Sequence, residues 1–71
     1  MKKITDKLEN EYNELNDKIR KIEYFINNNP DFRNLSESHQ VLLVTQSKVM
    51  DTYSYILEER IEELNSHLSV E

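Results

Sequence analysis

The chain has 71 residues, a formal net charge of -5, and neither cysteine nor glycine. A chain this short forms one domain at most with a marginal core of its own, and without cysteine it has no disulfide or thiolate zinc site to supplement that core. The acidic balance argues against binding to duplex nucleic acid or to an anionic membrane surface, which need a basic face. No segment approaches the apolar length of a membrane span, so we expect a cytoplasmic protein.

A first helix is predicted at about residues 4–27. Its apolar residues alternate four and three positions apart, the spacing of a helical packing seam. The seam residues are Leu8, Tyr12, Leu15, Ile19, Ile22 and Ile26. Thr5 or Asp6 is expected to cap the amides at the start of this helix.

The segment 28–35 is predicted to be a loop. Asn28 is expected to end the first helix in the left-handed conformation, and Pro30 should hold Asn29 in extended geometry. Phe32 and Leu35 are apolar and would stay exposed to water in a flexible linker, so we expect them to fold back and cover the end of the hairpin.

A second helix is predicted at about residues 36–68, with Ser36 as its N-cap. Its apolar stripe is wider than the first, because a heptad series is flanked by apolar residues on both sides. The series is Leu43, Met50, Leu57 and Leu64, with Leu42, Val49 and Ile56 on one edge and Tyr53 and Ile61 on the other. These features predict an all-α fold, an antiparallel two-helix hairpin that assembles into a helical homo-oligomer.

A polar column follows the second helix at seven-residue intervals: Gln46, Tyr53, Arg60 and His67. One interpretation is an edge that fixes the register of helix pairing. The other is a cleft between subunits, where the Arg60 guanidinium binds a phosphate and the Tyr53 ring stacks on a base. Tyr12, which stands near Lys7, would bring its hydroxyl to the edge of the same cleft.

Signals for catalysis or metal binding are weak. His39 and His67 are far apart and lack the spacing of a zinc site, and the acidic run 58–63 lacks the Glu-x-x-His pairing of di-iron bundles. We predict no catalytic residue, metal site or cofactor. The cations Lys18, Arg20 and Lys21 are interpreted as a solvated face that pairs with neighbouring carboxylates.

From about Leu8 to Leu64 the sequence resembles a hairpin domain of phage proteins, shared by anti-CBASS and anti-Thoeris sponges. The first-helix motifs are Glu11-x-x-Glu14-Leu15, Lys21-Ile22 and Phe25-Ile26, and the loop motif is Phe32-x-x-Leu35. The second-helix motif is Leu43-x-x-Gln46-x-x-x-Met50-x-x-Tyr53-x-x-x-Leu57-x-x-Arg60-Ile61.

This resemblance implies a helical hairpin that assembles into higher oligomers, hexamers among them. It also implies sequestration of cyclic oligonucleotide or cyclic ADP-ribose signals in the bacterial host cytoplasm, without cleavage, so that an immune effector is starved of its activator. Ligands of such sponges bind between protomers. Gln46 and Arg60 match the second-helix motif, and Lys7 and Tyr12 match the segment before the Glu-Leu motif, so these residues and Tyr53 are the predicted ligand contacts.

Two alternatives from other classes stay open. The chain could be a helical module for protein-protein interaction, such as a phage inhibitor of a host protein. It could also be a hairpin dimer that binds structured RNA through Lys18, Arg20 and Lys21, which the net charge disfavours.

Overall fold

The computed structural model describes the backbone of residues 2–70 and the side chains of residues 4–66. Helix α1 spans Lys2–Asn28 and helix α2 spans Glu37–Val70, and a short 3₁₀ helix, Pro30–Asn34, joins them. The two long helices lie side by side in opposite directions, in a rod 54 Å long. The predicted all-α hairpin is therefore confirmed, with no strand among residues 2–70.

Helix α1 begins at Lys2, two residues before the predicted start. Thr5 and Asp6 consequently lie inside the helix, so the prediction that one of them caps its first turn is wrong. The position of Thr5, three residues before Leu8, places it on the apolar face, where its side chain is buried.

The apolar seam of α1 packs against α2 as its spacing predicts. Leu8, Leu15 and Ile19 are buried, and Tyr12 packs against the cluster they form. Ile22 and Ile26, nearer the turn, are half-buried. The contact is therefore tightest in the first two thirds of α1.

The face of α2 that meets α1 differs in part from the predicted stripe. Its heptad series is confirmed, since Leu57 is fully buried and Met50 and Leu64 pack against the same cluster. Between these residues lie two serines, buried Ser47 and half-buried Ser54, at the intervening seam positions. Small side chains at these positions let the helices approach closely. The predicted edge of Leu42, Val49 and Ile56 is instead exposed, and so is Tyr53, which lies on this same side of α2 rather than on the opposite edge.

Side-chain hydrogen bonds join the helices in the described part of the chain. The Tyr12 hydroxyl donates to Glu58 Oε2 at 2.8 Å, and Ser54 Oγ donates to Asn16 Oδ1 at 2.6 Å. The second bond is partly buried, where an unpaired polar group would be costly. Together they fix which residue of α1 stands opposite which residue of α2.

The turn differs from prediction at Asn28. This residue continues α1, and no residue in the described part of the chain has a positive φ, so the left-handed cap is wrong. The α-helical pattern runs on because the Asn29 amide donates to the Phe25 carbonyl at 3.1 Å. Asn29 is extended, with φ -91° and ψ 120°, as predicted for a residue before proline, and its side chain accepts from the Asp31 amide.

The 3₁₀ helix packs back onto the hairpin. The Phe32 ring meets Phe25 edge to face, with 6.2 Å between ring centroids, which confirms that Phe32 covers the end of the helices. Ser36 Oγ accepts from the His39 amide at 3.1 Å and caps α2 as predicted. The Gln40 side-chain amide donates to the Leu35 carbonyl at 2.9 Å, which ties the turn to α2.

No helix in the described range is both long and apolar enough to cross a bilayer.

Candidate ligand-binding site

An open groove runs between the two helices in the half of the hairpin near the turn. Its volume is about 490 Å³, within the range of small-molecule sites. We call it the basic groove, because two of its lining side chains are lysines. It is lined by Lys18, Lys21, Ile22, Phe25, Leu43, Gln46 and Met50.

The α1 side of the basic groove follows from helical spacing. Lys18 stands four residues before Ile22, and Lys21 stands four residues before Phe25, so all four share one side of the helix. The lysines border the apolar seam from the solvent side. Each can lay its methylene stem along the apolar surface and hold its ammonium group at the rim.

The α2 side is set by the antiparallel pairing. Leu43 and Met50 belong to the packing seam, while exposed Gln46 stands on its flank. Gln46 Nε2 lies 3.9 Å from Met50 Sδ, a weak contact, so the amide is available to a stronger partner. The floor of the groove is therefore apolar and its rim is polar.

The charge of the groove is partly offset by one carboxylate. Asp17 pairs with Lys21 and with Arg20, each at 3.2 Å. The hydrogen bond and charge of Lys21, with a smaller contribution from Arg20, hold the pKa of Asp17 below its ordinary value of 3.8. Among the described side chains Lys18 forms no ion pair. The groove thus offers one unpaired and one partly neutralised cation.

The five residues predicted as ligand contacts do not meet within one chain. Gln46 lies in the basic groove, but Arg60 is about 21 Å further along α2 at 1.5 Å per residue, with exposed Tyr53 between them. Tyr12 is half-buried opposite Glu58, and exposed Lys7 is about one and a half turns before it on α1. Lys7, Tyr12 and Arg60 therefore belong to the open end of the hairpin. The side chain of His67 lies outside the described residues.

Sequence reasoning missed three residues of the groove. From the sequence, Lys18 and Lys21 are assigned with Arg20 to a solvated face, and Phe25 is identified only as part of the Phe25-Ile26 motif. A signal was present, because both lysines stand four residues before an apolar residue of the same face. Arg20 lacks that relationship to the groove and is absent from its lining.

The arrangement suits an anion that also carries flat, apolar parts. Ammonium groups bind phosphate or carboxylate oxygens, and an aromatic ring with a thioether beside it offers a surface for a planar group. Among the described side chains there is no group of three or more His, Cys, Asp or Glu placed to hold a metal ion.

Comparison with known proteins gives one match. A protein-family model described as Sequestin matches residues 2–63, which include both helices and the whole basic groove. We found no matching curated protein and no matching solved structure.

Proposed function

Because the chain belongs to the Sequestin family, we propose that it sequesters a cyclic nucleotide second messenger of bacterial immunity. The family's name denotes sequestration, and the sequence motifs resemble those of phage sponges for cyclic oligonucleotides and cyclic ADP-ribose. In this function the protein binds the signal in the host cytoplasm and holds it without cleaving it. A phage would gain by depriving an immune effector of its activator.

The basic groove is the observation that carries this proposal. The ammonium groups of Lys18 and Lys21 match the phosphates of a cyclic nucleotide, and Phe25 offers a ring beside them for base stacking. Gln46 supplies an amide that both donates and accepts hydrogen bonds, as reading a base edge requires. These contacts account for binding, and sequestration requires no further chemistry.

The net charge of -5 is compatible with an anionic ligand. A small ligand responds to the charges within about 10 Å at 0.1 M salt, so two local lysines count for more than distant carboxylates. The acidic residues of the run 58–63 stand on the half of α2 away from the groove.

The predicted ligand contacts at the open end of the hairpin can contribute to binding only when several copies of the chain assemble. Lys7, Tyr12 and Arg60 are too far from Gln46 to contact the same small ligand within one hairpin. In a homo-oligomer, a hexamer among the possibilities, the open end of one copy supplies these residues next to the groove or at a second site. The Tyr53 ring would then stand at a boundary between copies.

The test is direct titration. Purified protein at micromolar concentration is titrated by calorimetry with cyclic dinucleotides, cyclic trinucleotides and cyclic ADP-ribose isomers, with the matching linear dinucleotides as controls. We expect saturable binding of at least one cyclic ligand, and chromatography of the heat-released ligand should recover it unchanged. An absence of binding across the panel refutes sequestration of these ligands, and a cleaved product refutes the sponge.

A second function is favoured by the exposed apolar face of α2. Leu42, Val49 and Ile56 are exposed on one side of that helix, as in modules that grip another protein. This alternative predicts a stoichiometric complex with a host protein in a pull-down from bacterial lysate. It also predicts no nucleotide-like ultraviolet absorbance in the purified material, whereas a sponge isolated from signalling cells carries such absorbance.

A further inference from the structure

We propose that α2 pairs with α2 of a second copy of this chain, in antiparallel orientation, through a stripe of exposed apolar residues. We call this the outer stripe: Leu42, Val49, Tyr53 and Ile56, whose side chains are 65, 63, 42 and 47% exposed. Their spacing of seven, four and three residues places them on one side of α2. The inference rests on the proposed homo-oligomer and adds the surface and the orientation.

The hairpin's own core is too small to do without a partner. Among the described side chains, the buried apolar residues are Leu8, Leu15, Ile19 and Leu57. Chains of this size need an additional source of stability, and this one has no disulfide. The outer stripe therefore needs a partner that is present whenever the chain folds.

A second copy meets that requirement. It is made together with the first, and two-fold pairs are the commonest assemblies of soluble proteins. In such a pair the same surface is used twice, so each outer stripe covers the other. A stripe whose apolar residues recur on one side of the helix is complementary to itself.

Charge decides the orientation. The run 58–63 in the second half of α2 carries four acidic residues, Glu58, Glu59, Glu62 and Glu63, against one basic residue, Arg60. A parallel pair would place the two runs side by side, where they repel. An antiparallel pair places each run beside the first turns of the other α2. With a two-fold axis near Val49 each run faces residues 35–40, where Glu37 is the one Lys, Arg, Asp or Glu residue and the helix N-terminus is the positive end of its dipole, so the antiparallel pair brings fewer like charges together.

The apolar residues then set the register. Leu42 and Ile56 stand seven residues on either side of Val49. With the two-fold axis near Val49, Leu42 of one copy meets Ile56 of the other, and Val49 lies within about one turn of its counterpart. Every apolar residue of the outer stripe gains an apolar neighbour.

The same register joins the pair to the ligand site. Gln46 of one copy comes within about one turn of Tyr53 of the other, because these two positions are nearly equidistant from the axis. Gln46 also lines the basic groove. The groove therefore continues onto the second copy, whose Tyr53 ring extends the surface available to a base.

Single cysteines test this arrangement, since the natural chain has none. Val49→Cys, Leu42→Cys and Ile56→Cys are each treated with a short bis-maleimide reagent and resolved by denaturing electrophoresis. We expect covalent dimers from Val49→Cys alone. Two Leu42 residues of an antiparallel pair are about 20 Å apart, and so are two Ile56 residues, but a mixture of Leu42→Cys with Ile56→Cys should cross-link between copies.

The matched control is Val41→Cys. Val41 is 63% exposed, as is Val49, but it stands about 100° around the helix from the outer stripe and should not cross-link. Cross-linking of all three stripe variants with themselves would establish a parallel pair and overturn the proposal, as would equal yields from Val41→Cys and Val49→Cys. If Val49→Cys fails to cross-link while cyclic ligands still bind, the pairing is refuted and sequestration stands. If it cross-links and no ligand binds, the pairing stands and sequestration is refuted.

Discussion

The Asp17 carboxylate lies 3.2 Å from the Lys21 ammonium group at the rim of the basic groove, so the protein itself neutralises part of the charge that an anionic ligand would meet. Asp17→Asn removes this competition and keeps the side-chain shape. We expect affinity for a cyclic nucleotide to rise severalfold at low salt, because the Lys21 ammonium group no longer has a carboxylate partner on the protein. The gain should shrink as salt is added.

Calorimetric titration at two salt concentrations measures this change. Asp51→Asn is the control, because it removes the same charge from an exposed position that does not line the groove. Equal gains from both substitutions would mean that net charge alone, rather than the Asp17–Lys21 pair, governs binding.

The same ion pair makes the acid titration of Asp17 depend on Lys21. The pKa of Asp17 is lowered, so the pair contributes stability above the ordinary value of 3.8 and loses that contribution as the pH falls through the lowered pKa. We expect Lys21→Met to raise the pKa of Asp17 toward 3.8, whereas Arg20→Met should raise it less. Carboxyl-carbon NMR across the acid range measures both values, and an unchanged pKa in Lys21→Met would show that the pair does not form in solution.

The two groove lysines should carry phosphate binding. Lys18→Ala combined with Lys21→Ala removes both ammonium groups, each able to make a charge-assisted hydrogen bond, so we expect affinity to fall at least tenfold. Arg20→Ala removes one positive charge from the same stretch of α1 but leaves the groove lining intact, and it should bind nearly as the natural chain does. A double variant that retains full affinity would move the ligand site elsewhere on the hairpin.

Arg60 separates the two interpretations of the polar column. If the Arg60 guanidinium binds a phosphate of the ligand, Arg60→Ala should abolish cyclic nucleotide binding. Helicity and oligomer mass should then stay nearly unchanged. Circular dichroism, light scattering and calorimetry on one preparation measure all three properties. Dissociation or unfolding of the variant would instead make Arg60 an interface residue.

Among the described side chains Leu57 is the most deeply buried, with 0% of its surface exposed. Leu57→Ala leaves a cavity against α1 and should lower the free energy of unfolding by about 2–5 kcal/mol. Val41→Ala, at an exposed position, should change it by less than about 0.5 kcal/mol. Urea unfolding of both variants at one protein concentration provides the comparison, and similar values for the two would contradict the packing described for α2.

The parts of the fold that periodicity governs were predictable. The α1 seam from Leu8 to Ile26 meets α2 because its spacing leaves no other apolar face. The places of Ser47 and Ser54 in the packing seam of α2 were not predictable from hydrophobicity. A serine suits such a position because its side chain is small, and side-chain size matters only where two helices are packed together. The left-handed conformation predicted for Asn28 is wrong because a residue that tolerates this conformation need not adopt it, and here α1 includes Asn28 and ends where Pro30 holds Asn29 in extended geometry.

The candidate site was predictable only on one helix at a time. The polar column of Gln46, Tyr53 and Arg60 follows from the period of α2 alone. Its partners on α1 depend on the register between the helices, which Tyr12–Glu58 and Asn16–Ser54 reveal only in three dimensions. For that reason the sequence indicated Gln46 as a ligand residue but not the lysines that share its groove.

The Tyr12–Glu58 and Asn16–Ser54 hydrogen bonds also determine which insertions and deletions the hairpin can accept. From Tyr12 to Asn16 is four residues forward on α1, and from Glu58 to Ser54 is four residues back on α2, so the bonds are successive rungs of one antiparallel ladder. A residue inserted or deleted between the rungs would rotate one pair by about 100° and break it. Extra residues in the segment 29–36 leave both rungs in place. Natural length variation, peptide tags and engineered cleavage sites should therefore be tolerated at the turn and excluded from the helices.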